Sequence, residues 1–204
     1  MLVHRDGLKV HRAAAGSRDG HPGITGVNVK PDGTCEATDG HILVRYSPTK
    51  SDDAKEYPAG FGAEDTLETA VTIPAETCKS IVKIARKGLA KRLPILARNA
   101  AVAKPNGTLP ISVTDLESPT TWNLQPIESS FPDTDKVIPK RTGKGTLFSV
   151  ELLTRILATM KAIGVERVEL QIAGYDEKGN SGPSRIDGET SDGSVVAVIM
   201  PMHK

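Results

Sequence analysis

Residues 72–82, TIPAETCKSIV, lie without a gap over residues 147–157, LFSVELLTRIL. At this offset of 75, Ile73 meets Phe148, Glu76 meets Glu151, and Ile81 and Val82 meet Ile156 and Leu157. The same offset puts Pro126 of WNLQP on Pro201 of VIMP, far downstream. Two matches at one offset identify a duplicated unit. Each copy follows one plan, a short apolar strand, an amphipathic helix, then strands ending near a proline. The first copy has Cys78, Ile81, Val82 and Ala85 at i, i+3, i+4 and i+7, the stripe of a half-buried helix. Pro74 suits the first turn and Glu76 the positive end of the helix dipole. Behind it, PNGT marks a hairpin at Asn106–Gly107 between AVA and LPISV. The second copy has Ser149 as a candidate N-cap and an apolar face of Leu152, Leu153, Ile156, Leu157 and Met160. Val168, Leu170 and Ile172 then alternate inward, and SVVAVIM reads as a closing strand.

Ahead of both copies, residues 1–46 hold a shorter unit with a poor helix around Leu8 to Ala15. ITGVNV, a PDG turn, TCEAT and HILVRY follow it, and its first strand reads as truncated. Two segments stand outside the units. Ser51 to Glu68 carries Asp52, Asp53, Glu56, Glu64, Asp65 and Glu68 against Lys55, and reads as a long solvated loop. Pro139 to Gly145 reads as a polar linker. The expected organisation is therefore a two-repeat domain at 1–139 and a single repeat at 146–204. The class is α+β.

The chain has 204 residues, with 26 Lys+Arg against 25 Asp+Glu and a net charge of +1. A surface that is cationic throughout is excluded, so contact with nucleic acid must come from local clustering. Aromatic residues make up 3% of the chain, which argues against base-stacking modules. No apolar run approaches the ~18 residues of a spanning helix. MLVHRDGLKV, broken by His4, Arg5 and Asp6, does not serve as a secretory segment. Cys35 and Cys78 lie far apart with no CxxC, so no zinc site or disulfide framework is expected, and a cytoplasmic setting fits.

The clearest chemical signal lies between Ala75 and Arg92, read as one helix. Lys79, Lys83, Arg86 and Lys87 recur at i, i+4, i+7 and i+8, opposite the apolar stripe. Such a face suits sequence-blind attraction to phosphates, and it is also what an ordinary solvated helix face looks like. TDGH at 38–41 offers an Asp39–His41 pair, either a base with its orienting carboxylate or a tight turn with Gly40 at a special backbone angle. No nucleophile motif accompanies it, and the turn is the favoured reading. GKGT at 143–146 lacks the spacing of a phosphate loop. His4, His11 and His21 share no ligand spacing with any acid or thiol cluster. No constellation sufficient for an enzyme, a metal or another cofactor is present.

VNVKPDGTCEATDGHILV, SSFPDTDKVIPK and the terminal VIMPMHK together resemble the bacterial sliding clamp, the beta subunit of DNA polymerase III. The three segments occur in the family's order and match its middle domain plus the second half of its last domain. The resemblance implies repeated strand–helix–three-strand units, with helices on one face of antiparallel sheets. It implies a processivity factor that encircles or tracks double-stranded DNA without sequence preference and acts as a homo-oligomer. Lys79, Lys83, Arg86 and Lys87 would then face DNA. DNA polymerase or other clamp-binding proteins would insert a linear motif into an apolar pocket. The resemblance puts Ile24, Thr38, Gly40, His41 and Leu43 on one wall of it. Pro132, Lys136 and Val137 form a second, and Ile199, Met200, Pro201 and Met202 a third. Ile42, Lys136 and His203 stand where arginines are expected, which retunes the polar rim. Three repeats here stand against the six expected of a clamp chain. A non-encircling adaptor or decoy for clamp-binding peptides is the alternative.

Overall fold

The computed structural model describes residues 1–15, 21–49, 52–84, 89–125, 127, 129–138, 145–172, 174, 182–190 and 193–202. The chain divides into two compact units, Met1–Ile138 and Pro139–Lys204.

In the first unit β1 (Leu2–His4), α1 (Arg5–Leu8) and a 3-10 turn (Lys9–Ala13) lead into β2 (Gly26–Val29), β3 (Cys35–Thr38) and β4 (Leu43–Tyr46). β5 (Val71–Pro74), α2 (Ala75–Lys83), α3 (Leu89–Arg92) and α4 (Pro94–Arg98) precede β6 (Asn99–Val102), β7 (Leu109–Val113) and β8 (Thr120–Leu124). The strands form two antiparallel sheets, ordered β1-β6-β7-β8 and β4-β3-β2-β5. The opening strand of each repeat thus completes the sheet of the other. Val3 pairs with Ala100 on β6, and Ile73 pairs with Val27 on β2. The exchange leaves neither repeat with a bare inner edge. Leu8, Val27, Val29, Ile73, Ile81, Val102 and Ile111 form a continuous core, each fully buried.

The tight turns follow the sequence chemistry. Gly33 after Pro31-Asp32, and Gly107 after Asn106, both adopt positive φ, at 83° and 72°. The Asn106 N–H donates to the Thr108 carbonyl at 3.0 Å, closing the expected hairpin.

Two expectations need correction. The helix read from Ala75 to Arg92 is broken, because α2 stops at Lys83 and Ile84 leaves the helical region at φ −59° and ψ 104°. Arg5 supplies the cause. Its Nη2 donates to the carbonyls of Ile81, Val82 and Ile84 at 2.8, 3.2 and 2.7 Å, acceptors that a continuing helix would need for its own N–H groups. Nη1 reaches the Ala97 carbonyl at 3.0 Å. Pro74 accordingly ends β5 and caps α2 instead of lying inside its first turn. The second correction concerns the acidic stretch from 51 to 68, which is not a plain solvated loop. Tyr57, Ala63 and Leu67 are buried, and Tyr57 and Ala63 join Ile95, Leu96 and Ala101 in a second apolar cluster. Apolar residues spaced through a charged stretch anchor it, while Asp53, Glu56, Glu64 and Glu68 stay exposed and Asp52 pairs with Arg98 at 2.7 Å.

The second unit contains α5 (Val150–Ile163), β9 (Val168–Gln171), β10 (Ser184–Glu189) and β11 (Ser194–Ile199), with sheet order β11-β10-β9. Ser149 Oγ accepts the Leu152 N–H at 3.3 Å as the expected N-cap, and Gly164 closes the helix at φ 102°. Met160, Val165, Ile186 and Ile199 form its small core. The repeat offset holds in three dimensions: α2 and α5 begin at 75 and 150, and β7 and β10 at 109 and 184. The fold is a mixture of helix and antiparallel sheet. No helix among the described residues is long and apolar enough to cross a membrane.

Candidate functional site

The TDGH segment connects β3 to β4. Asp39 Oδ1 accepts the backbone N–H groups of His41 and Ile42, each at 2.8 Å, while Thr38 Oγ1 donates to the Ile42 carbonyl at 2.6 Å. Gly40 sits at φ 91°, the left-handed geometry that glycine adopts without strain. The N–H groups of Ile42 and His41 hold the Asp39 carboxyl below its ordinary value. Asp39 is thus spent on shaping a turn, as the structural reading of TDGH expects. The turn lifts His41 and Ile42 into solvent, and Ile42 is 53% exposed.

A charged cluster links this hairpin to the segment that follows β8. Glu36 on β3 is fully buried, and its carboxylate meets Arg45 Nε, Lys30 Nζ at 3.2 Å and Thr134 Oγ1 at 2.8 Å. Arg45 Nη2 also donates to Thr134 Oγ1 at 2.7 Å and Asp135 at 2.5 Å. Its guanidinium and the Lys30 ammonium hold the Asp135 carboxyl below the usual range. These bonds fasten the 3-10 turn Thr134–Lys136 against β3 and β4. The sequence reading missed this cluster. Its one visible signal was a lone acid between the apolar Cys35 and Ala37 of a strand, a position that normally faces water.

The expected wall residues divide by exposure. In the first unit Ile24 and Thr38 are buried, Leu43 is half-buried, and Gly40, His41, Pro132, Lys136 and Val137 are exposed. Ile42, Val44, Val137 and Ile138 place exposed apolar side chains on the two segments that Arg45 ties together. Lys136 forms an ion pair with Asp133 at 3.0 Å. A cavity of about 550 Å³ lies beside these segments, lined by Asn28, Lys30, Thr72, Phe131, Pro132 and Asp135 among others. Of the expected wall residues, Pro132 alone lines it. In the second unit Ile199 belongs to the core and Pro201 is half-buried. Met200 and Met202 are 63% and 55% exposed, so the terminal methionines do not face inward.

Lys79 and Lys83 are both on the described part of α2, and Lys79 Nζ pairs with Glu76 at 3.0 Å. Arg86 and Lys87, with Ala85 of the apolar stripe, lie outside the described residues, as does His203. No group of three or more His, Cys, Asp or Glu able to hold a metal occurs among the described residues.

No protein-family model matches the sequence. A search of curated proteins likewise returns no match. Among solved structures, the DNA polymerase sliding clamp of Bacillus subtilis superimposes with a TM-score of 0.65 at 15% identity, over 98% of this chain. The fold is that of a sliding clamp. The sliding clamp of Caulobacter crescentus matches with a TM-score of 0.60 at 14% identity, again over 98% of this chain. The chain spans about half the length of these clamps, 48% and 50% respectively. The superposition therefore covers nearly the whole chain, both compact units included.

Proposed function

We propose that this chain is a clamp-like processivity factor, free of covalent chemistry, that encircles or tracks duplex DNA as a homo-oligomer in the cytoplasm. In this reading it recruits DNA polymerase or other partners through a short linear motif. The observation that carries the reading is a clamp fold whose TDGH turn and 131–138 segment are clasped by Arg45 and present exposed apolar groups. In this reading Leu43, His41, Pro132 and Val137 are the recognition residues of the first unit, and Met200 and Met202, just after β11, are those of the second. Methionine suits a surface that must adapt to several partners. Lys79, Lys83, Arg86 and Lys87 attract the phosphate backbone without reading bases. No cofactor or metal takes part.

The test is a fluorescence-anisotropy titration with a labelled extended peptide carrying leucine and phenylalanine anchors. The expected Kd is micromolar, a free energy of about −8 kcal/mol. Val137→Asp and Met202→Ala each weaken it by about tenfold, as removal of an anchoring side chain does. No saturable binding at about 100 µM, near −5.5 kcal/mol, overturns the peptide assignment. In parallel, retention on circular but not linearised DNA is expected. Lys79→Glu with Lys83→Glu flattens the salt dependence by ~0.9 in log–log slope for each phosphate that is no longer neutralised.

One observation favours the alternative of a non-encircling adaptor that binds clamp-interacting peptides. Lys79 is already paired with Glu76, which lowers the charge that α2 offers to DNA. Peptide binding with no retention on circular DNA selects that reading.

A further inference from the structure

The second unit is half of a structure that the first unit shows complete. In the first unit each inner-edge strand is covered by the opening strand of the other repeat. Val27 and Val29 of β2 and Ala100 and Val102 of β6 are fully buried as a result. β9 is the counterpart of β6: Leu170 stands opposite Ile186 on β10 as Val102 stands opposite Ile111 on β7. Yet Val168 and Leu170 are each 44% exposed and Ile172 55%, although they lie on the core face of the sheet. α5 repeats the pattern. Leu153, Ile156 and Met160 pack on its own sheet, while Val150, Leu152, Leu157 and Ile163 are exposed. In the first unit α2 packs against α1 and the adjoining 3-10 turn. An edge strand and a helix flank with this much uncovered apolar surface call for a partner.

The same unit also carries the piece that would fill the gap. The residue two positions before each helix is Val3, Ile73 and Phe148. Hydrogen bonds from Val102 N to the Met1 carbonyl and from Ala75 N to the Thr25 carbonyl set the ladder phase. By antiparallel alternation, Val3 and Ile73 turn their backbone groups toward the receiving strand. Leu147 turns its carbonyl the other way and accepts the Met202 N–H at 2.8 Å, so the Phe148 backbone groups point to the opposite side, where no described strand pairs with them.

We propose that two copies of this chain pair through their second units about a two-fold axis. Each copy donates residues 146–149 to β9 of the other, with Phe148 opposite the partner copy's Val168, and the two α5 helices cover the exposed apolar flanks. A second copy is the occupant because acceptor edge and donor segment lie on one unit, so a single two-fold satisfies both at once. A partner that supplied only a strand would leave the α5 flank uncovered and the Phe148 backbone without a receiving strand. The register follows from Val3 opposite Ala100, the counterpart of Val168, and it puts Leu147 opposite Glu169 on the outer face. This association needs no DNA and no peptide, so its test stands apart from that of the proposed function.

Sedimentation velocity of the full chain at tens of micromolar is expected to give twice the 21.7 kDa of one copy. Leu170→Lys should return it to one copy with an unchanged circular dichroism spectrum, since that side chain is nearly half in water already. A full chain that stays monomeric overturns the proposal. So does a Leu170→Lys variant that dimerises as well as the original. A chain carrying Leu147→Cys and Glu169→Cys decides the register even if Leu170→Lys fails to fold. Mild oxidation should yield a covalent dimer on a non-reducing gel, and the absence of that dimer also overturns the arrangement.

Discussion

Glu36 is a buried carboxylate that makes sense only with its neighbours. It accepts from Thr134 and faces Lys30 and Arg45, both about three-quarters buried at the side chain. Removing one member of such a cluster leaves the others desolvated without an acceptor, which costs about 3–5 kcal/mol in dry sites. Lys30 and Arg45 keep Asp135 as a second partner, so Glu36→Ala should cost less than that, about 2–3 kcal/mol by urea denaturation. Glu36→Gln, which keeps the shape and one acceptor, should cost less. The same substitution to alanine releases the turn that presents Val137. The amides of Val137 and Ile138, which donate to the Thr134 carbonyl at 3.1 and 3.0 Å, should exchange hydrogen faster in Glu36→Ala. Unchanged exchange there would show that the 134–138 segment is held by something other than Glu36.

α2 shows how a helix with a continuing cationic pattern is made to stop. Periodicity predicts a stripe that runs on through Ala85, and nothing local in KSIVKIARK ends it. The terminator comes from α1, where Arg5 lies more than seventy residues earlier in sequence and supplies donors to three carbonyls of the last turn and its exit. A fixed guanidinium fork at a helix C-terminus combines hydrogen bonds with a favourable dipole interaction. Arg5→Ala should destabilise the first unit by about 2–3 kcal/mol, read as a lower urea midpoint with an unchanged slope, since charged hydrogen bonds contribute about 1.5–3 kcal/mol. Arg5→Lys should recover only part of this, because one ammonium does not reach all four carbonyls. Full recovery by lysine would show that charge alone, not the fork, ends the helix.

At the scale of the whole molecule, both cysteines lie at the centre of the first core, on β3 and α2. Burial pushes the Cys35 thiol up to about 12, helped by the charges of Asp32 and Glu36, and burial also pushes the Cys78 thiol up. The folded state thus holds these protons after the unfolded chain, ionising near 9.0, has released them. Stability is complete below that pH and falls as pH rises above it, by up to about 1.4 kcal/mol per pH unit for each thiol until the folded value is reached. Urea unfolding between about pH 8 and 11 should therefore show a steeper loss for the natural chain than for Cys35→Ala, after allowing for that variant's lower starting stability. Equal slopes would place the Cys35 thiol in contact with solvent. Neither thiol should react with an alkylating reagent in the folded chain at neutral pH.

Local chemistry in the sequence determined most of the elements. The offset of 75 residues, the Ser149 cap and the PDG and PNGT turns were all legible, because each depends on neighbours within a turn or a strand. The three-segment resemblance placed the chain in the clamp fold before any contact was known. What depended on distant partners was not legible. The strand exchange between repeats, the helix stop imposed by Arg5, the folding of residues 51–68 onto Ile95 and Leu96, and the buried charge of Glu36 all join residues far apart in the chain. In each case a side chain that reads as exposed or helical by itself is redirected by a group that only folding brings near. The second unit shows the same limit: its sequence marks Val168, Leu170 and Ile172 as core, and only the tertiary structure shows them 44%, 44% and 55% exposed.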